Sequence, residues 1–362
     1  TDWFIDMIKR QAYDDGLPVK LSMEKDDYRQ GTRDYLPIVE RTKNDNYVNV
    51  DKIVAFALDD KNTQPMMTGK RLSYIPTRYF RLPVDSAKVL EYGVVTPEYA
   101  NRIVDALEWK VKGSIILKSE LLMLDILANN NWERPIYFAN TMPRDSYFGL
   151  QNYMQHEGFT YRLVPYKVQS DGNQFGYFGE VQPDIMYTNM MEEFSFGNME
   201  DPDIFLDENN MRFVTNLRLN FSRLADVLAK RGDVERSKAV LDKCVEITVN
   251  SNTPKDITLL QIVDTYFQID ENEKGFELAK QVGQHYIEHL AYYASLKAEY
   301  QAQTSRETGQ AVAVIQQLQN MGQRYKVEGM EDHFKPIFEE AQGYYTEISA
   351  ALPQQNPQNQ RR

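Results

Sequence analysis

Over the first 190 or so residues, short apolar runs with strand-like alternation are interleaved with segments of helical period, and beyond them the helical period is almost continuous. In the first half, residues 2–12 read as a short helix and residues 17–23 as a strand. Asn49 or Asp51 stands where a helix through Leu58 would be capped. Residues 72–82 alternate like a strand broken at Pro76, and residues 107–117 read as another strand. Ser119 then caps a predicted helix over 120–129, PIYFA (135–139) is a short buried strand, Asp145 or Ser146 caps a helix to His156, and 159–164 form a further strand. Strands and helices alternating across short connections predict parallel strands joined by right-handed crossovers. The expected fold of residues 1–195 is therefore an α/β sandwich with a mainly parallel sheet. The helix bearing Leu121, Leu122, Met123, Leu124, Ile126 and Leu127 is apolar nearly all round, so it should be buried between layers. Asp125 inside it needs a partner, and Arg134 is the expected one.

The acidic stretch FGNMEDPDIFLDENN (196–210) reads as a joint. After it, residues 211–352 are expected to be all-α. Phe221, Leu224, Ala225, Leu228, Gly232, Ser237, Leu241 and Cys244 follow the large-and-small pattern of a tetratricopeptide helix-turn-helix. The small Ala225 and Ser237 would let two antiparallel helices approach closely. Tyr266, Asp270, Gly275 and Ala279 occupy comparable places in a second pair, with Asp270 and Glu273 spaced as a capping box. A third pair is predicted over 285–303 and 308–325, with a capping helix over 331–352. The tail PQQNPQNQRR (353–362) has nothing apolar to bury and is expected to be disordered.

Charge and cysteine content narrow the function. The 41 basic against 53 acidic residues give a net charge of −12, which disfavours nucleic acid as a partner because phosphate neutralisation needs a basic face. One cysteine, Cys244, can form no intramolecular disulfide and no cysteine-based zinc cage. No apolar run approaches the length of a membrane span, and no signal peptide is visible. Opening on Thr1, the chain reads as a piece of something longer. Against the overall acidity, residues 68–118 carry nine Lys or Arg and five Asp or Glu. Lys70, Arg71, Arg78, Arg81, Lys110 and Lys112 are candidates for a face turned to an anionic surface or carrier, or are simply the wet positions of strands.

Catalytic fingerprints are few. No G-x-G-x-x-G, no G-x-x-x-x-G-K-[ST] and no G-x-S-x-G occurs, so dinucleotide, nucleotide-phosphate and α/β-hydrolase chemistry have no signature. His285, Glu288 and His289 match the inverted zincin motif H-x-x-E-H. With no third ligand identifiable and the match lying in a packing helix, zinc is set aside, and no cofactor or metal is expected. In open parallel sheets ligands lie beyond the carboxyl ends of the strands. After 135–139 that end carries Asn140, Thr141, Arg144, Asp145 and Ser146, either as ligand-facing groups or as ordinary helix caps.

The runs TDWFIDMIKR (1–10), QGTRDYLPI (30–38), MLDILANNNWERPIYFA (123–139), DIMYTNM (184–190) and LDENNMRFVTNLRLNFSRLA (206–225) resemble the soluble C-terminal region of a domain-of-unknown-function family of large multi-pass membrane proteins of Gram-negative anaerobes. The N-terminal portion of that family, absent from this chain, resembles the protein O-mannosyltransferase class, which uses lipid-linked sugar donors. The catalytic carboxylates of that class lie upstream of anything in this sequence, so the resemblance assigns no catalytic residue here. The family also carries a strand and turn just before the TDW segment, so the resemblance implies a sheet lacking an edge strand. It implies a location on the periplasmic side of the inner membrane and attachment through the absent multi-pass region. The expected function is non-catalytic: a periplasmic binding region whose helical-repeat groove recruits a protein or glycan acceptor or partner. The alternatives are an α/β half that is itself a glycan-acting enzyme, and a free-standing tetratricopeptide adaptor.

Overall fold

The computed structural model describes residues 2–10, 17–40, 45–65, 69–169 and 178–350, which separate into two units, Thr1–Gln182 and Pro183–Arg362. The predicted tail at 353–362 lies outside the described residues.

The N-terminal unit contains strands β1 (Tyr35–Pro37), β2 (Val48–Asn49), β3 (Thr63–Pro65), β4 (Arg71–Ser73), β5 (Tyr79–Pro83), β6 (Ala106–Lys110), β7 (Ile115–Leu117), β8 (Tyr137–Ala139), β9 (Met154–His156), β10 (Thr160–Leu163) and β11 (Glu180–Val181). Its helices are α1 (Asp2–Ile8), α2 (Lys25–Tyr28), α3 (Val50–Leu58), α4 (Ser86–Glu91) and α5 (Lys118–Asn130). Helix α3 buries Val50, Ile53, Val54 and Ala57, one stripe at helical spacing, and packs against α5. Leu121, Leu122, Leu124 and Leu127 of α5 are buried with it. In β5 and β6 Phe80, Leu82, Leu107 and Trp109 point inward while Tyr79, Arg81, Glu108 and Lys110 point out. The Phe80 ring packs against both Trp109 and Phe148, each with its ring centroid 5.6 Å away. Each such buried ring contributes ~1.5–3 kcal/mol of transfer free energy.

The expectation of a mainly parallel sheet is corrected. The described strands form four small sheets, ordered β1-β7, β11-β9-β10-β8, β2-β5-β6 and β3-β4, and only β11 with β9 and β2 with β5 run parallel. The cause is local. Residues 145–156, read as a crossover helix, instead make two 3₁₀ turns, Arg144–Tyr147 and Leu150–Tyr153, and then strand β9. With a strand where a helix was expected, β9 and β10 form a hairpin, and β10 also pairs antiparallel with β8. Phe148 (φ 54°) and Gly149 (φ 85°) break the helical run in left-handed conformations. Gly149 is needed there: a Cβ would lie 2.9 Å from the Lys110 carbonyl oxygen and 3.3 Å from Trp109 Cδ1.

Residues 17–23 are not a strand, because their backbone donors go elsewhere. The Asp125 carboxylate accepts from the N–H of Ser22 (2.9 Å) and Met23 (3.0 Å) and from the Asn129 amide (2.7 Å). Arg134 is not its partner and donates to the Leu17 carbonyl at 3.0 Å. Burial pushes the Asp125 carboxyl above its ordinary value, opposed by the two backbone donors.

The second unit is helical. It contains α6 (Pro183–Thr188), α7 (Glu208–Lys230), α8 (Val234–Thr248), α9 (Leu259–Gln268), α10 (Asn272–Ser295), α11 (Ala298–Gln301), α12 (Ser305–Tyr325) and α13 (Met330–Ala350). Residues 183–195, which periodicity places with the first half, group with this unit. Helices pack as consecutive pairs, α7 with α8, α9 with α10 and α12 with α13, while α7, α9 and α12 touch in succession. Short connections such as 231–233 force each pair to run antiparallel. Ala225 and Ser237 are fully buried where α7 meets α8, and the Ser237 hydroxyl donates to the Ala225 carbonyl at 2.8 Å.

Two helical expectations are corrected. No helix begins at His285: α10 continues through Gly283, whose missing Cβ admits the Phe334 ring (2.6 Å from the Cβ position), so the third pair is α12 with α13. The capping box at Asp270 does not form. Asp270 is left-handed (φ 61°), Glu271 precedes the helix, and its carboxylate pairs with Lys238 instead.

Candidate functional site

Strand β6 carries its outward face to Lys110, whose ammonium donates to the Tyr79 hydroxyl (2.9 Å) and lies 4.8 Å from the centre of that ring. The hydrogen bond to Tyr79 holds the Lys110 pKa above its ordinary value. Beyond β6 the chain passes through Lys112 and Gly113 before β7, and these residues form one wall of a cavity of about 790 Å³. The two 3₁₀ turns also line it, with Arg144 and Asp145 from the first and Gln151 and Asn152 from the second. Phe148 and Phe178 supply aromatic surface, and Glu120 of α5 also reaches the cavity. The Phe178 ring is itself fixed, stacked on Tyr161 at 4.5 Å and edge-on to Tyr147 at 4.6 Å.

Two groups of residues that the sequence treats separately therefore meet. Lys110 and Lys112 come from the basic segment, and Arg144 and Asp145 from the polar stretch after 135–139. The other members of each group lie elsewhere. The Asn140 backbone N–H donates to the Phe159 carbonyl (3.0 Å), and that of Ser146 to the Pro143 carbonyl (2.9 Å). Neither of these residues nor Thr141 lines the cavity, and neither Asp145 nor Ser146 caps a helix. Arg71 donates to Thr63, Arg78 pairs with Glu40 at 2.7 Å, and Arg81 lies 3.4 Å from Glu108. Lys70 is exposed beside β4. Gln151, Asn152 and Phe178 were missed by sequence reasoning, since their convergence depends on the break at Gly149.

Chemically, three cations, two side-chain amides and two aromatic faces suit a hydroxyl-rich or anionic ligand. Serine, cysteine and histidine are absent from the described lining, whose ionisable groups are Lys110, Lys112, Arg144, Asp145 and Glu120. Of its two carboxylates, Glu120 is engaged in accepting the Leu117 N–H at 2.7 Å at the start of α5.

A second polar group lies across the β11-β9-β10-β8 sheet. The Tyr166 hydroxyl donates to Gln155 Oε1, and Gln155 Nε2 to Glu157 Oε1, each at 2.5 Å, with Arg162 3.8 Å from Glu157. Burial holds the Glu157 carboxyl above its ordinary value, with Arg162 opposing. Arg102 grips Glu180 with two nitrogens at 2.7 and 2.6 Å and lies 4.3 Å from the centre of the Tyr166 ring. In the helical unit His285 and His289 stand a turn apart on α10 with ring centroids 4.1 Å apart, and Glu288 accepts from Gln284 at 2.7 Å. Among the described residues no three His, Cys, Asp or Glu come together as a metal-holding group.

Residues 1–184 match the family model described as TMEM260-associated domain 2. Among the described residues no helix is long and apolar enough to cross a membrane. Among curated proteins and among solved structures, none matches the chain.

Proposed function

Because the chain belongs to the TMEM260-associated domain 2 family, whose name ties it to a membrane protein, we propose that it is a non-catalytic binding region of a membrane-embedded, glycosyltransferase-like protein. In this reading it stands on the periplasmic side of the inner membrane, and its two units share the work of holding an acceptor. The N-terminal cavity takes the hydroxyl-rich, anionic part of a glycan. The helical unit, read as tetratricopeptide-like, offers the succession α7, α9 and α12 to a polypeptide partner. One observation carries the reading: Lys110, Lys112 and Arg144 converge with the amides of Gln151 and Asn152 and the rings of Phe148 and Phe178 in one cavity. That is the chemistry of recognition.

The test is a titration of the chain with acidic oligosaccharides, followed by calorimetry and by ligand-observed NMR. Saturable binding that falls at least ~tenfold in Lys112→Glu and Arg144→Glu is expected, the loss associated with a charge-assisted contact. No binding by any acidic oligosaccharide, or turnover of one, would overturn the proposal.

A further inference from the structure

The H-x-x-E-H segment sits in a setting that explains one of its histidines without zinc. His285 and Lys280, on α10, form one side of a cavity of about 450 Å³, and Lys255, from the loop before α9, and His333, on α13, also line it. Four basic side chains thus come from three segments of a chain whose net charge is −12. The one carboxylate among the described lining residues, Glu288, accepts from the amide of Gln284, which also lines the cavity. The Lys255 ammonium is held by carbonyl dipoles, donating to Thr253 (2.9 Å) and to Asn250. Lys280 pairs with Glu277 at 2.5 Å, outside the lining.

Burial lowers the basicity of Lys255, His285 and His333, and in each case the next cause is a neighbour of like sign: Arg218, His289 and Lys280 respectively. Asp256 and Glu288 oppose this at His285 with smaller effect. Crowding of this kind is relieved by an anion and worsened by a metal cation.

We infer that the cavity bounded by Lys255, Lys280, His285 and His333 binds a phosphate-bearing small ligand. The phosphoryl oxygens accept from the two ammonium groups and the imidazoles, and the Gln284 amide adds a neutral donor. The volume exceeds that of a lone phosphate ion and suits a phosphorylated small molecule. The site lies wholly in the helical unit and does not depend on the N-terminal cavity.

Calorimetric titration of the whole chain with inorganic pyrophosphate tests this, alongside sedimentation with phosphatidylcholine vesicles containing phosphatidylglycerol. Saturable pyrophosphate binding is expected, weakened at least ~tenfold in Lys280→Gln and further in Lys280→Gln/His333→Gln, with circular dichroism unchanged. Lys112→Glu, in the other unit, should leave it intact, which separates this site from the glycan cavity. Vesicle binding abolished by Lys280→Gln would assign the phosphate to a lipid headgroup; pyrophosphate binding without vesicle binding would assign it to a free ligand. Absence of saturation with both probes, binding that survives the double substitution, or binding of zinc in place of pyrophosphate would overturn the inference.

Discussion

Replacing Gly149 with alanine should destabilise the N-terminal unit through two separable effects. The residue adopts φ 85°, where an L-residue costs ~1–2 kcal/mol relative to glycine. The added Cβ would also lie 2.9 Å from the Lys110 carbonyl and 3.3 Å from Trp109 Cδ1. Relieving that contact requires backbone movement of a core strand, an overpacking cost of about 1–3 kcal/mol. The expected total is ~2–5 kcal/mol. Gly93→Ala isolates the first effect, since Gly93 also has a positive φ (61°) but nothing within 4 Å of its Cβ position. The three tryptophans, Trp3, Trp109 and Trp132, all lie in the N-terminal unit, so urea titration followed by tryptophan fluorescence reads that unit alone. Gly149→Ala should lower the midpoint clearly more than Gly93→Ala, and should weaken ligand binding at the adjoining cavity. Equal midpoints for the two variants would refute the close approach of the 3₁₀ turn to β6, and with it the account of how Arg144 meets Lys110.

Other outcomes follow from single residues. Cys244 is fully buried, with its thiol pushed up to about 12, so Ellman's reagent at pH 8 should label it only as fast as the helical unit opens, and stoichiometrically in denaturant. His285 and His333 both sit below the ordinary 6.5, so as pH falls below that value the unfolded chain takes up protons first. Stability of the helical unit should therefore decline from pH 7 to pH 5, and His285→Gln/His333→Gln should flatten the profile measured by thermal melts. Arg102→Leu should cost ~1.5–3 kcal/mol by removing the two charge-assisted contacts to Glu180, which keeps the Gln169 N–H, and Arg102→Lys should restore only part, because lysine cannot make both parallel contacts; fluorescence-detected urea titration measures both.

Features encoded within a few residues could be read directly. The helix running to Leu58 and the small pair Ala225 and Ser237 are visible as local pattern, and the structure uses them as expected, whereas the run 107–117, which reads as one strand, is divided into β6 and β7, paired in different sheets. What could not be read depends on residues far apart in sequence. Residues 145–156 have helical period, yet the turn at Phe148 and Gly149 is dictated by β6, some forty residues earlier. The strand formed at 154–156 makes β9, β10 and β8 antiparallel, and the two turns before it bring Gln151 and Asn152 to the cavity. Likewise Asp125 looked like half of an ion pair with Arg134, because nothing local shows that the Ser22 and Met23 amides, about a hundred residues upstream, will need an acceptor. The polar stretch after 135–139 pointed to Arg144 and Asp145, but only the fold could separate them from Asn140, Thr141 and Ser146.

The pairing of β1 with β7, the anchoring of 22–23 by Asp125 and the grip of Arg102 on Glu180 also govern how the chain is made. Contacts of such long sequence separation form slowly, whereas helix pairs joined by short turns close as soon as their second helix exists. As the chain emerges, β9 can pair with β10, but its other edge stays open until Glu180 and Val181 have followed. The helical unit, although synthesised later, can fold pair by pair. Synthesis therefore passes through a stage, between the emergence of β10 and of β11, in which a β-rich segment with one edge of β9 unpaired is what quality-control factors meet.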